Sequence, residues 1–221
     1  VVSPSSPGTY EPDLMILRST IPTATRLVLV LSGFLHPIAA VMPHAPVNAV
    51  ETHVPPAHKR VEPIATMISK GEGDWNAVNR GRAGDTPGGF QDLLGDTCEN
   101  FTVGEILDMQ AAGRIYAVGR YQFIPTTLRF AVEQSGVSRL DFFSPVTQNK
   151  LLVALLQHKR PAVWEYLTGK GTVNAALDAL AKEWASIATK SGRTYYVGTS
   201  NAAHVTRDEA RIALEQARAL F

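Results

Sequence analysis

A chain of 221 residues, 45% hydrophobic and 19% charged, can bury one sizeable core, which argues for a globular protein and against a chain solvated by its own charge. A formal net charge of +1 excludes the strongly basic phosphate binders, so nucleic acid is not an expected partner. Cys98 is the single cysteine, which excludes an internal disulfide and a cysteine-based metal site.

Residues 1–62 are rich in proline and in Ser/Thr and poor in acidic side chains, as in a leader or linker. Arg26 precedes the apolar run "LVLVLSGFLHPIAAV" (27–41). At roughly 15 residues the run is shorter than the roughly 20 that a bilayer core requires. Val47 and Ala49 have the spacing of a signal-peptidase site, so export with cleavage after Ala49 is one expectation. Transient membrane contact through residues 27–41, an apolar extension lying on the body, and a disordered arm are the alternatives.

From residue 63 onward the punctuation is helical. Pro63 sits at a first-turn position, with Ile64, Met67 and Ile68 on one face, predicting a helix to about residue 71. The segment "GDWNAVNRGRAGDTPGGFQDLLGD" (73–96) is dense in turn formers and predicts an irregular lobe or a short hairpin. Thr102 with Glu105 three residues on is a capping box. Pro125 opens a helix that ends at Ser135-Gly136, and Ser144-Pro145 opens another that Pro161 stops. Further helices are expected at 161–168, 173–188 and 206–220, the last with Ile212, Leu214, Ala217 and Leu220 among charges. The fold class is α+β and mainly α: a helical domain over 63–221 whose small irregular lobe flanks a cleft.

Glu72 is placed oddly. In "ISKGEGDWNAVNRG" (68–81) it stands between Gly71 and Gly73, in line with the apolar stripe of the first helix and in its last turn. Partial burial and the negative helix end both disfavour the charged form, so a raised pKa and a general-acid role are expected. The two glycines would keep the approach open for a bulky ligand. The alternative is a solvated helix end that bonds a loop amide or pairs with Arg80 or Arg82.

A second motif bears on that choice. Taken in order, "SKGEG" (69–73), "GRYQF" (119–123), "FSPVTQNKLL" (143–152) and "WAS" (184–186) resemble the phage lambda lysozyme family, peptidoglycan-cleaving lytic transglycosylases with a lysozyme-like fold. The resemblance covers roughly residues 63–221 and implies that Glu72 is the catalytic glutamate. It also implies that Tyr121 and Gln122 lie at the cleft floor and that Trp184 and Ser186 match the late segment; Trp184 is expected in the core, with a sugar platform as the alternative. The loop at 74–89 departs from the family pattern, so substrate contacts by Asp74, Asn76, Asn79 and Asp85 rest on position alone. The candidate substrate-binding set is Tyr121, Gln122, Trp75, Asn76, Ser186 and Tyr195. Trp75 either stacks on a sugar ring or pins the loop to the helices. Tyr195 and Tyr196 would form the far wall, and Arg80, Arg82 and Arg120 either meet peptide-stem carboxylates or are solvated charges.

A glycosidic bond needs a proton on its departing oxygen and support for an oxocarbenium-like centre. The resemblance implies that one glutamate gives the proton and then takes one from the muramoyl C6 hydroxyl, closing a 1,6-anhydro ring without water. Hydrolysis with a second carboxylate, Asp74 or Asp85, is the rival chemistry. A wall-binding or virion structural protein that has lost turnover is the rival from another class. No histidine has H-E-x-x-H spacing, so neither metal nor cofactor is expected. The implied partner is the bacterial peptidoglycan glycan strand, met by a monomer that is exported to the periplasm or cell wall or carried in a phage particle.

Overall fold

The computed structural model describes residues 54–198 and 201–221. The expectations about the apolar run and about cleavage after Ala49 lie outside the described residues. The described residues from 54 onward belong to one unit. There α1 (Ala57–Arg60) leads into α2 (Glu62–Glu72), with Val61 buried between them.

Helix α2 has Pro63 in its first turn and buries Ile64, Ala65, Met67 and Ile68. Burying each of the three larger side chains contributes about 1.5–3 kcal/mol, so the face that ends at Glu72 is firmly seated. The lobe follows as a three-stranded antiparallel sheet of β1 (Val78–Asn79), β2 (Asp85–Thr86) and β3 (Ala117–Val118), in the order β2-β1-β3. Val78 stands opposite Thr86 and Val118, and Asn79 opposite Asp85 and Ala117. The predicted hairpin is thus β1-β2, and β3 adds a third strand from beyond the next helices.

Helix α3 (Gly89–Leu94) was hidden by its glycines. Gly89 has φ 58°, and a Cβ there would lie 1.9 Å from the Asn76 carbonyl oxygen, so only glycine lets Phe90 turn into the core. Helix α4 (Val103–Ala111) opens on the predicted capping box, Thr102 accepting from the Glu105 amide. Helix α5 (Pro125–Ser135) stops at Gly136 in the left-handed conformation, and α6 (Pro145–Ala154) is capped by Ser144. Beyond Ala154 the helix widens into a π turn over Leu155–Lys159, sealed by the Arg160 amide on the Leu155 carbonyl at 2.8 Å, where an unbroken helix to Pro161 was expected.

Helices α7 (Pro161–Leu167), α8 (Val173–Glu183) and α9 (Arg207–Arg218) complete the described body. Among the described residues it is mainly helical with one small antiparallel sheet, the α+β class expected. Two predicted details are corrected. Helix α8 ends at Glu183 rather than at 188, because residues 186–188 pair with 204–205 and break the i to i+4 ladder. Helix α9 packs on α2 through Ala210, Ala213, Leu214 and Ala217, while Ile212 and Leu220 are exposed.

Candidate active site

Glu72 is the last residue of α2, and Gly73, at φ 130°, turns the chain away from it. The side chain is half-buried, and Ser186 Oγ donates to its Oε1 at 2.5 Å. Gly71 makes that bond possible: a Cβ there would lie 2.4 Å from Ser186 Cβ. The space left by this glycine is thus filled by Ser186, not by a ligand as expected. Burial pushes the Glu72 carboxyl above the ordinary glutamate range, opposed by the Ser186 hydrogen bond and by the charge of His204. The segments carrying these groups are tied together, since the amides of His204 and Val205 both donate to the Ser186 carbonyl.

Glu72 stands where two cavities meet. The larger, about 510 Å³, is lined by Thr127, Lys159, Arg160, Glu183, Trp184 and Tyr196 among others. The smaller, about 370 Å³, runs along the lobe past Asp74, Asn76, Thr86 and Gln91. Glu72, Asp85 and Gln122 line both. The result is a groove that runs to both sides of Glu72, the shape a polymer needs to present an internal bond.

The Gly-Arg-Tyr-Gln motif forms the tight loop between β3 and Phe123, closed by the Gln122 amide on the Gly119 carbonyl at 3.0 Å. Its residues divide by task. Gln122 faces the groove from a left-handed backbone, φ 46°, which no other described residue except glycine adopts. That strain beside Glu72 is of the kind that persists where the surroundings hold it for function. Tyr121 is buried against the larger cavity, but its hydroxyl donates to Asn149 Oδ1 instead of turning to a sugar. Arg120 pairs with Glu62 at 2.8 Å, donates to Thr66 at 3.0 Å and lies 4.4 Å over the Trp75 ring. Asn149 also donates to Glu62, so the motif clamps the N-terminal end of the helix that carries Glu72.

Other candidates fall elsewhere. Trp75 packs on Arg120 and edge-on to Tyr121, pinning the lobe to the body, and is absent from the lining of either cavity. Asn76 lines the smaller cavity, but its Oδ1 accepts from the Cys98 amide at 2.7 Å. Ser186 is buried and serves Glu72. Trp184 is buried with its indole N–H on the Tyr121 carbonyl at 3.1 Å, a core position as expected. Tyr195 is exposed and outside the groove, whose wall is formed by its neighbour Tyr196. Arg120 is paired with Glu62, and neither Arg80 nor Arg82 is among the residues lining the groove.

Sequence reasoning missed Lys159, Arg160 and Glu183. Lys159 lies in the π turn and Arg160 caps it, and both line the larger cavity with Glu183 from the end of α8. It also missed Gln148, fully buried, which accepts from the Arg120 amide and donates to the carbonyls of Trp75 and Phe143. Among the described residues no three His, Cys, Asp or Glu side chains cluster as metal ligands. Burial pushes the Cys98 thiol up to about 12, which leaves it inert as a nucleophile.

Fold and site together define a class: a helical protein with a small sheet lobe and a groove with the half-buried Glu72 where its two cavities meet. Residues 66–207 match the family model described as Endolysin, and the chain belongs to that family. Membership implies degradation of peptidoglycan as its activity and peptidoglycan as its substrate. No curated protein matches the chain. No solved structure matches it either.

Proposed function

We propose that this protein is a lytic transglycosylase that cleaves the β-1,4 bond between the muramoyl residue and the next aminosugar, leaving a 1,6-anhydro end. The observation that carries the reading is Glu72, a half-buried carboxyl that burial pushes above the ordinary glutamate range and that lines both cavities of the groove. In its neutral form it protonates the departing glycosidic oxygen as the bond to C1 breaks. The resulting carboxylate takes the proton of the C6 hydroxyl, whose oxygen closes onto C1. The acid is restored and no water is consumed. Ser186 stabilises the intermediate carboxylate, and Gln122 offers a donor and an acceptor to a sugar substituent.

The other acids of the groove are engaged in ways that favour this course. Asp74 accepts from the Asn76 amide at 2.8 Å, a turn-forming role, and Glu183 is paired with Lys159 and Arg160. Asp85 favours the second reading, hydrolysis by an activated water. It lines both cavities with Glu72, although its Oδ1 accepts from Asn79 at 2.7 Å. Peptidoglycan lies outside the cytoplasmic membrane, so the enzyme acts after export or from a phage particle.

Digestion of purified sacculi followed by mass spectrometry of the fragments separates the readings. Anhydro ends are expected, and products one water heavier with free reducing ends would establish hydrolysis. Glu72→Gln is expected to lower turnover by about a thousandfold or more, because the amide cannot supply the proton. Binding of sacculi without any cleavage by the wild type would favour a non-catalytic wall-binding role.

A further inference from the structure

One wall of the larger cavity has an excess of positive charge that the proposed chemistry does not use. Lys159 Nζ lies 2.7 Å from Glu183 Oε1 and 2.7 Å from Thr127 Oγ1. Arg160 Nε lies 2.8 Å from Glu183 Oε2 without hydrogen-bond alignment, and its Nη2 donates to the Lys182 carbonyl at 3.1 Å. Glu183 is nearly enclosed, its side chain 5% exposed, while Lys159 and Arg160 keep 30% and 25% exposure toward the groove. Two cations therefore share one carboxylate, and among the described residues neither has a second acidic partner. Glu72 and Asp85 line the same cavity, but neither is paired with Lys159 or Arg160, and Asp85 instead accepts from Asn79 at 2.7 Å.

A strand built from acetylated aminosugars has neutral rings, and its carboxylates hang from the lactyl arm of every muramoyl residue. We infer that Lys159 and Arg160 form a subsite for a carboxylate carried on that arm, either the free lactyl carboxylate or one in the attached peptide stem. Arg160 supplies the planar donors and Lys159 the point charge, with Glu183 holding both heads at the groove. The site resting on these cations sets which muramoyl residue lies over Glu72 and so where the strand is cut. This inference rests on the peptidoglycan-cleaving reading above.

Three glycan substrates of one backbone test it: strands with intact peptide stems, strands stripped by an amidase so that the lactyl carboxylate is free, and stripped strands whose carboxylate has been amidated. The wild type is expected to show a KM about tenfold higher on the amidated strands than on the better anionic substrate, with the two anionic substrates distinguishing the source of the carboxylate. In Lys159→Met the ratio of neutral to anionic KM should fall toward one, and in Lys159→Arg it should persist, with thermal unfolding confirming that both are folded. Equal KM on all three strands by the wild type would overturn the inference while leaving the cleavage reading intact, and needs no variant. Failure to cut any strand would overturn both.

Discussion

The Glu72 carboxyl is pushed above the ordinary glutamate range because burial costs its charged form more than Ser186 and His204 recover, which suits the acid role proposed for it. Cleavage requires the protonated form, so the rate is expected to fall as pH rises through its elevated pKa. Ser186→Ala removes a hydrogen bond that favours the ionised form, so the descending limb of the pH profile should move to higher pH. Loss of carboxylate support should lower kcat by about tenfold, and a limb that stays in place would show that the bond seen here does not persist during turnover. The same burial has a stability consequence. Between the ordinary glutamate value of 4.5 and the raised one, the folded state keeps a proton that the unfolded chain releases, so wild-type stability declines as pH rises across that window. Glu72→Gln has no such decline. Its melting temperature relative to wild type should therefore be higher at about pH 8 than at about pH 4, as calorimetry can check.

At the scale of elements, the site depends on how closely the end of α2 meets the segment after α8. Gly71→Ala would place a methyl 2.4 Å from Ser186 Cβ, a buried and backbone-tied atom that cannot swing away. The expected cost is about 1–3 kcal/mol, with activity falling alongside because the segment at 186–188 must retreat from Glu72. Adding Ser186→Gly should recover most of the stability, but not the wild-type pH profile. Urea unfolding of the single and double variants measures both effects. Helix α9 braces α2 from the other side and begins with a capping box, Thr206 accepting from the Glu209 amide at 3.2 Å. Thr206→Ala should cost about 1 kcal/mol with little change in kcat, since no residue of α9 lines the groove.

For the molecule as a whole, the question is what holds the lobe against the helices so that the groove keeps its width. The core continues across the junction through Phe90, Phe143, Phe123 and Tyr121, whose neighbouring ring centroids are 5.6–6.5 Å apart. Direction comes from Gln148, whose amide joins the lobe at Trp75, the motif loop at Arg120 and the loop before α6 at Phe143. Gly119 must be glycine for this to happen, because a Cβ would lie 2.4 Å from Gln148 Oε1. Gln148→Leu would leave an amide and two carbonyls buried without partners. It should destabilise the fold by about 3 kcal/mol or more, read from denaturant midpoints.

What the sequence by itself determined is local. Pro63, Thr102 with Glu105, Pro125, Ser144 with Pro145 and Pro161 start helices where they were expected, because capping and proline effects act within about four residues. The strain of placing Glu72 at an apolar helix end was legible for the same reason. Tertiary structure alone decided that Ser186, 114 residues away, would bond to Glu72, and that Trp184 would leave the helix to reach Tyr121. It also decided that Tyr196 rather than Tyr195 would wall the groove, and that Lys159 in the π turn and Arg160 capping it would line it. Those outcomes depend on packed backbones meeting across the fold, where a close approach is set by every contact at once and no stretch of sequence contains both sides of it.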